Sequence, residues 1–387
     1  MIKAASVSSV HEGSLEAGKI AAEELLAELG GQPDVVLAFV SARYDQAQVV
    51  EGLYRKLDAR TRLVGCSSFA EINDEEGLSG SVAVMGMRLG GVAHESFLVR
   101  ELGGREREGG RDLGAAAKAF GPNLLILLAD GLVNTDQLLL GIQDELGPTF
   151  PIVGGMAIDE AKFERAFQIR DREVISGGAV ALALRGQVEL LSGAKSGWAP
   201  IGAARRCTKV EDGNVVLEID GRPALSLYQD YLGPRAQEMP GVSTEFPIGI
   251  VGGLAGTQRM QDDEAILLLR SVKAVDESRQ ALIFGGDIPE GAIVRMTRAT
   301  RADVIRGANE LGEKLSASMP EPSLALFFNC GGRKMVLGPR YNEELKETFA
   351  RLRGVPKIGF YSAGEFSPVG GVTMHHDETF TMALIKG

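Results

Sequence analysis

Two stretches decide how this chain is read: Gly65-Cys66-Ser67-Ser68-Phe69-Ala70-Glu71 and, far along the chain, Gly359-Phe360-Tyr361-Ser362-Ala363-Gly364-Glu365. Gly, Ser and Glu recur at one spacing, so that Gly65, Ser68 and Glu71 match Gly359, Ser362 and Glu365. The surroundings recur too. An apolar run (35–40; 324–328), a helical stretch (46–57; 341–352) and a short strand (63–66; 356–358) precede each turn, and an alternating strand (81–87; 379–385) follows it. A further copy runs through 124–129, 135–146 and 151–153 into Gly154-Gly155-Met156-Ala157-Ile158-Asp159 and closes at 178–184.

The unit predicted is a strand, a crossover helix and a second strand whose carboxyl end opens into a small-residue turn. Glycines there permit close backbone approach, and ligands settle at strand carboxyl ends in α/β sheets. The fold class expected is α/β, mixed α+β: two domains of mixed sheets covered by helices, with pseudo-repeated β-α-β units. The first domain spans 1–205, with pseudo-repeats at about 33–100 and 121–195, and the second spans 206–387. Residues 14–29 read as an amphipathic helix stopped by Gly30-Gly31, and 101–114 as an exposed connection into a short helix. Beyond 205, strands at 215–219, 265–269 and 281–284 and helices at 224–232 and 302–318 are expected.

With 387 residues, 44% of them apolar and 24% charged, the chain has material for more than one core. A net charge of −11 with no basic cluster argues against nucleic-acid binding. Apolar runs are strand-length, and Met1-Ile2-Lys3 opens no signal peptide, so the protein is expected in the cytoplasm, without membrane insertion. Three cysteines, Cys66, Cys207 and Cys330, form no CxxC pair. Residues 249–256 are glycine-rich but match neither GxGxxG nor GxxxxGK[ST], which excludes a dinucleotide or P-loop site.

Four landmarks in order resemble the FIST family: Gly65-Cys66-Ser67-Ser68 with Glu71; Asp130-Gly131 with Asn134-Thr135; Gly197-Trp198-Ala199-Pro200-Ile201-Gly202; and Gly359-Phe360-Tyr361-Ser362 with Gly364-Glu365. Asp220-Gly221-Arg222-Pro223-Ala224 and Asn329-Cys330-Gly331-Gly332-Arg333 resemble segments of the family's C part. The resemblance covers nearly the whole chain. It implies a bacterial signal-transduction module that binds a small ligand, an amino acid or derivative, without catalysis. The family's members are commonly fused to output modules. None is read after Gly387, so a separate signalling protein such as a histidine kinase or cyclase is the expected partner, and a homodimer is admitted.

The ligand-binding set expected is Cys66, Ser67, Ser68, Glu71, Trp198, Asn329, Cys330, Arg333, Tyr361, Ser362 and Glu365. Glu71 and Glu365 can hold an ammonium group or tie down their own turns. Arg333 offers a planar fork for a carboxylate, or a salt bridge between the two parts. Trp198 walls the cleft or packs the junction. No cofactor and no metal is expected. Two rivals stand beside this reading: a haem sensor with His375 or His376 as axial ligand, and a hydrolase-like enzyme using Cys66 or Glu71.

Overall fold

The structure, a computed structural model, describes residues 1–160, 162, 164–251 and 267–387. It is a mixed α+β protein built on three copies of one unit. The first copy runs β1 (Lys3–Ser9), α1 (Ser14–Leu29), β2 (Val35–Ser41), α2 (Gln46–Tyr54) and β3 (Arg62–Ser68). It ends with a hairpin, β4 (Ala70–Ile72) and β5 (Gly77–Leu78), and a closing strand β6 (Val82–Arg88). The second repeats this order: β7 (Ala93–Val99), α3 (Glu106–Phe120), β8 (Leu124–Asp130), α4 (Thr135–Leu146), β9 (Ile152–Ala157), hairpin β10 (Gln168–Arg170) and β11 (Glu173–Ile175), then β12 (Ala179–Arg185).

The third copy opens with β13 (Glu189–Lys195) and then leaves the frame. Residues 199–298 form a separate nine-stranded sheet: β14 (Ala199–Pro200), β15 (Arg205–Glu211), β16 (Val215–Ile219), β17 (Arg222–Pro223), β18 (Ile248–Val251), β19 (Leu267–Arg270), β20 (Val272–Asp276), β21 (Ala281–Phe284) and β22 (Ile293–Arg298). Helix α5 (Leu225–Leu232) lies within this segment. Ala199 pairs with Arg298, so this excursion returns to where it departed. The frame resumes with α6 (Arg301–Ser318), β23 (Leu324–Cys330), α7 (Gly331–Leu337), α8 (Glu343–Arg351), β24 (Lys357–Ser362), hairpin β25 (Glu365–Val369) and β26 (Val372–His376), and β27 (Phe380–Lys386).

Each copy builds the same sheet. Its inner pair is parallel (β2 with β3, β8 with β9, β23 with β24), as a crossover helix requires. The closing strand and the edge strand add on antiparallel. The hairpins join other copies' sheets: β4 pairs with β24, β10 with β3, and β25 with β9. The exchange therefore runs in a ring. Three equivalent backbone bonds seal it: Phe69 N–H to Tyr361 O at 3.1 Å, Ala363 N–H to Met156 O at 3.0 Å, and Ile158 N–H to Ser67 O at 3.4 Å.

Alternate residues of the three sheets share one central core, among them Leu37, Phe39, Ile126, Leu128, Leu326 and Phe328. The opposite faces pack under helices. Two helix pairs approach through glycine. A Cβ on Gly18 or Gly52 would stand 2.2 or 2.1 Å from an oxygen of the facing helix, and on Gly110 or Gly141 again 2.2 or 2.1 Å. This explains residues 101–114, expected as an exposed connection into a short helix: they belong largely to α3, 15 residues long, whose glycines serve the contact with α4. The position near 205 read as a domain boundary is the first residue of β15, inside the excursion. β13 before it pairs with β27 after it, so the two parts of the chain interlock. The strand expected at 265–269 and the glycine-rich stretch 249–256 lie partly outside the described residues.

Candidate functional site

Gly65, Gly154 and Gly359 hold one register position, opposite Ala38, Leu127 and Phe327. A Cβ there would lie 2.2, 1.9 or 2.0 Å from the partner strand's carbonyl oxygen. The repeated glycine is thus a packing requirement, whatever the site does. The same count places Ser68, Ala157 and Ser362 together, and then Glu71, Glu160 and Glu365. The residues directly after the first of these sets, Phe69, Ile158 and Ala363, come from three different copies and line one cavity of about 230 Å³.

The start of α7 adds Cys330, Gly331, Gly332 and Met335 to the wall, and Ser362 stands beside them. Asp377 and Glu378 enter from the turn between β26 and β27. The excursion supplies Pro240, Gly241, Thr244, Ser271, Val272 and Lys273. Three copies of the frame and the excursion therefore meet around one space, apolar on most sides with a few charged groups, as ligand sites usually are.

Of the residues expected to bind, Cys330 and Ser362 line this cavity. Glu71 is buried behind it and accepts from Ser68 Oγ at 2.5 Å, Ser81 N–H at 2.8 Å and Ser81 Oγ at 2.7 Å, so it ties its own turn to the head of β6. Burial lifts its carboxyl to about 7 against those bonds. Among the described residues Glu365 takes one bond, from Ser362 Oγ at 2.7 Å, and burial raises it well above the carboxylate range. Ser67 donates to Ile158 O at 3.2 Å and accepts from Phe167 N–H, joining two copies.

Asn329, Arg333 and Tyr361 converge on a residue outside the expected set, Glu344. The Arg333 guanidinium pairs with it at 2.8 Å and Tyr361 Oη donates to it at 3.0 Å, all of them buried. Arg333 also donates to the carbonyls of Ser196, Val304 and Glu378, so its fork is spent within the protein. Trp198 packs on Leu269, Val304 and Leu337 and donates Nε1–H to Glu245 O, at the junction of excursion and frame. Cys66 sits in the central core, where burial pushes its thiol well up, a setting that suits packing and not nucleophilic attack.

The histidines do not fit a haem. His375 is fully buried, with Nδ1 3.0 Å from Asp136 and Nε2 3.6 Å from Asp377 Oδ1. His376 faces Ser367 O through Nε2 at 3.0 Å, and burial lowers it to about 4. A cavity of about 230 Å³ also falls below the roughly 300–1,000 Å³ of drug-sized ligand pockets. Among the described residues, no group of three or more His, Cys, Asp or Glu is placed to hold a metal ion.

Several wall residues were not read from the sequence: Phe69, Ile158, Lys273, Met335, Ala363, Asp377 and Glu378. Three of them had a signal. Asp377-Glu378 directly follows the histidine pair, and Ile158 takes the place of Phe69 once the second copy is aligned on Gly154. Lys273 had none, because it reaches the site from the excursion.

Together these features define a class: a mixed α+β module whose three interlocked copies and one excursion surround a small cavity at their strand exits. The FIST N domain model matches residues 34–222 and the FIST C domain model residues 224–368. The chain belongs to the FIST family, whose domains are sensory modules of signal transduction. It is 28% identical over 378 residues to an uncharacterized protein of Mycobacterium tuberculosis, covering 97% of this chain and 96% of that one. An uncharacterized protein of Mycobacterium bovis is 26% identical over 377 residues, covering 96% and 95%. One of Methanocaldococcus jannaschii is 27% identical over 288 residues, covering 66% of this chain and 52% of that protein. Among the described residues, no helix is long and apolar enough to cross a membrane.

Proposed function

We propose that this chain senses a small ligand, an amino acid or close derivative, held in the cavity at the strand exits, and that it acts by binding without catalysis. One observation carries the reading: Phe69, Ile158 and Ala363, equivalent residues of three copies, share that cavity with Lys273 of the excursion. A ligand there touches every part of the molecule at once. If it fits one placement of the excursion better than another, it shifts the population toward that placement. A separate signalling protein, such as a histidine kinase or cyclase, reads the change.

The test is a thermal-shift screen of the full chain against amino acids and small carboxylates. A ligand at about one hundred times its Kd adds about 2.7 kcal/mol to stability. Ala363→Phe fills the cavity and is expected to abolish the shift while circular dichroism stays native. A shift that survives Ala363→Phe places the ligand elsewhere and sinks the reading.

A further inference from the structure

The cavity wall holds two carboxyl groups whose hydrogen bonding is incomplete. Asp377 and Glu378 are each 1% exposed and both line the cavity. Ser271 takes up one oxygen of each: its N–H donates to Asp377 Oδ2 at 3.4 Å and its Oγ to Glu378 Oε1 at 2.8 Å. The other oxygens, Asp377 Oδ1 and Glu378 Oε2, have no hydrogen-bond donor among the described residues. A buried acceptor left in that state costs about 1–3 kcal/mol, more when charged. In native proteins such groups are completed by water, an ion or a ligand, or serve a function of their own.

Charge narrows what arrives. Behind Asp377, His375 lies between it and Asp136, and Asp136 also pairs with Arg270 at 3.4 Å. Gly364 and Gly286 make room for this row: a Cβ on Gly364 would stand 2.6 Å from His375 Nε2, and on Gly286 2.5 Å from Asp136 Oδ2. Burial raises the Asp377 carboxyl, but His375 more than offsets this and holds it below the usual range, so Asp377 is an ionised acceptor, whereas burial lifts Glu378 to about 7, so that it becomes one fully when a cation arrives beside it. Arg270 balances Asp136, and His375, with Nε2 3.6 Å from Asp377 Oδ1, balances Asp377 in charge without closing a full hydrogen bond to it, while Glu378 Oε2 is left with neither. Lys273 lines the same space, where its Nζ donates to Ala363 O at 3.4 Å and has donors to share with a ligand. A ligand carrying both a donor-rich cation and an anion enters without adding net charge.

We infer that Asp377 and Glu378 are the receiving pair for the primary ammonium group of a small zwitterion, with Lys273 facing its acidic end. An ammonium brings three donors, enough for both open oxygens, whereas a hydroxyl brings one. Phe69, Ile158 and Met335 are left for a short apolar tail. This assignment rests on the proposed ligand-binding function and states which end of the ligand the protein recognises.

The experiment uses the full chain and four probes of similar size: alanine, alaninamide, propylamine and propionate, titrated by calorimetry and thermal shift. The three amines are expected to bind, alanine most tightly, and propionate not to bind. Glu378→Gln and Asp377→Asn, each checked for native circular dichroism, weaken alanine by about tenfold or more, roughly one decade in Kd. Lys273→Met weakens alanine but not propylamine, which separates the two ends even if one carboxylate variant fails to fold. Propionate binding as well as propylamine, or Glu378→Gln binding alanine like the parent, overturns the pair while leaving the cavity reading standing. No response to any probe, or responses untouched by Ala363→Phe, overturns both.

Discussion

Glu71 shows how a buried carboxyl serves as a structural tie and a titrating group at once. In the unfolded chain it ionises near 4.3, whereas in the fold burial carries it to about 7. The folded state thus holds the proton more tightly. The stability this group contributes is complete below the unfolded value and is lost as pH rises through about 7. Glu71→Gln escapes that loss, so its stability relative to the parent should rise by ~2 kcal/mol between about pH 5.5 and about pH 8.5, read from urea midpoints. A gap that does not move with pH would show that Glu71 does not titrate there. Arg333 works differently, since it and Glu344 are both fully buried. Arg333→Met strands the Glu344 carboxylate and is expected to cost about 3–5 kcal/mol in urea unfolding, with Arg333→Met/Glu344→Gln recovering part of it.

At the scale of elements, glycine sets the distances. Gly359→Ala places a Cβ 2.0 Å from Phe327 O, and backbone atoms cannot swing aside as side chains do. A loss of about 3 kcal/mol or more is expected in urea unfolding, with Gly65→Ala and Gly154→Ala behaving alike. A loss under about 1 kcal/mol would show that the strands adjust. The same glycines made the frame legible in sequence, because a fixed backbone demand repeats wherever the unit repeats. The strands and crossover helices around them followed from apolar periodicity. The first two hairpins did not: β4, β10 and β11 are three residues long and β5 two, too short for a period to register. α3 was obscured because its helix-contact glycines look like loop residues. Glu71 and Glu365 were legible as special residues, yet the sequence left open whether they hold a ligand or their own turns. Asp377 and Glu378 were marked only by their place after the histidine pair, and the fold was needed to show which space they face.

For the whole molecule, the ring of exchanged hairpins means that no copy is complete alone. A fragment of residues 1–198 contains β9 without β25 and β4 without β24. It also leaves the central core without its third face. It is expected to lack a cooperative urea transition and to give poorly dispersed NMR spectra, whereas the full chain unfolds with tryptophan fluorescence and far-UV dichroism coinciding. A sharp, native-like transition in the fragment would show that two copies suffice. The same ring bears on biosynthesis. Of the three frame sheets, only the first has all its strands once residue 175 has left the ribosome, and the other two wait for 376 and 386. The nascent chain therefore carries unfinished sheet edges almost until translation ends, and those edges are the surface that a chaperone must shield.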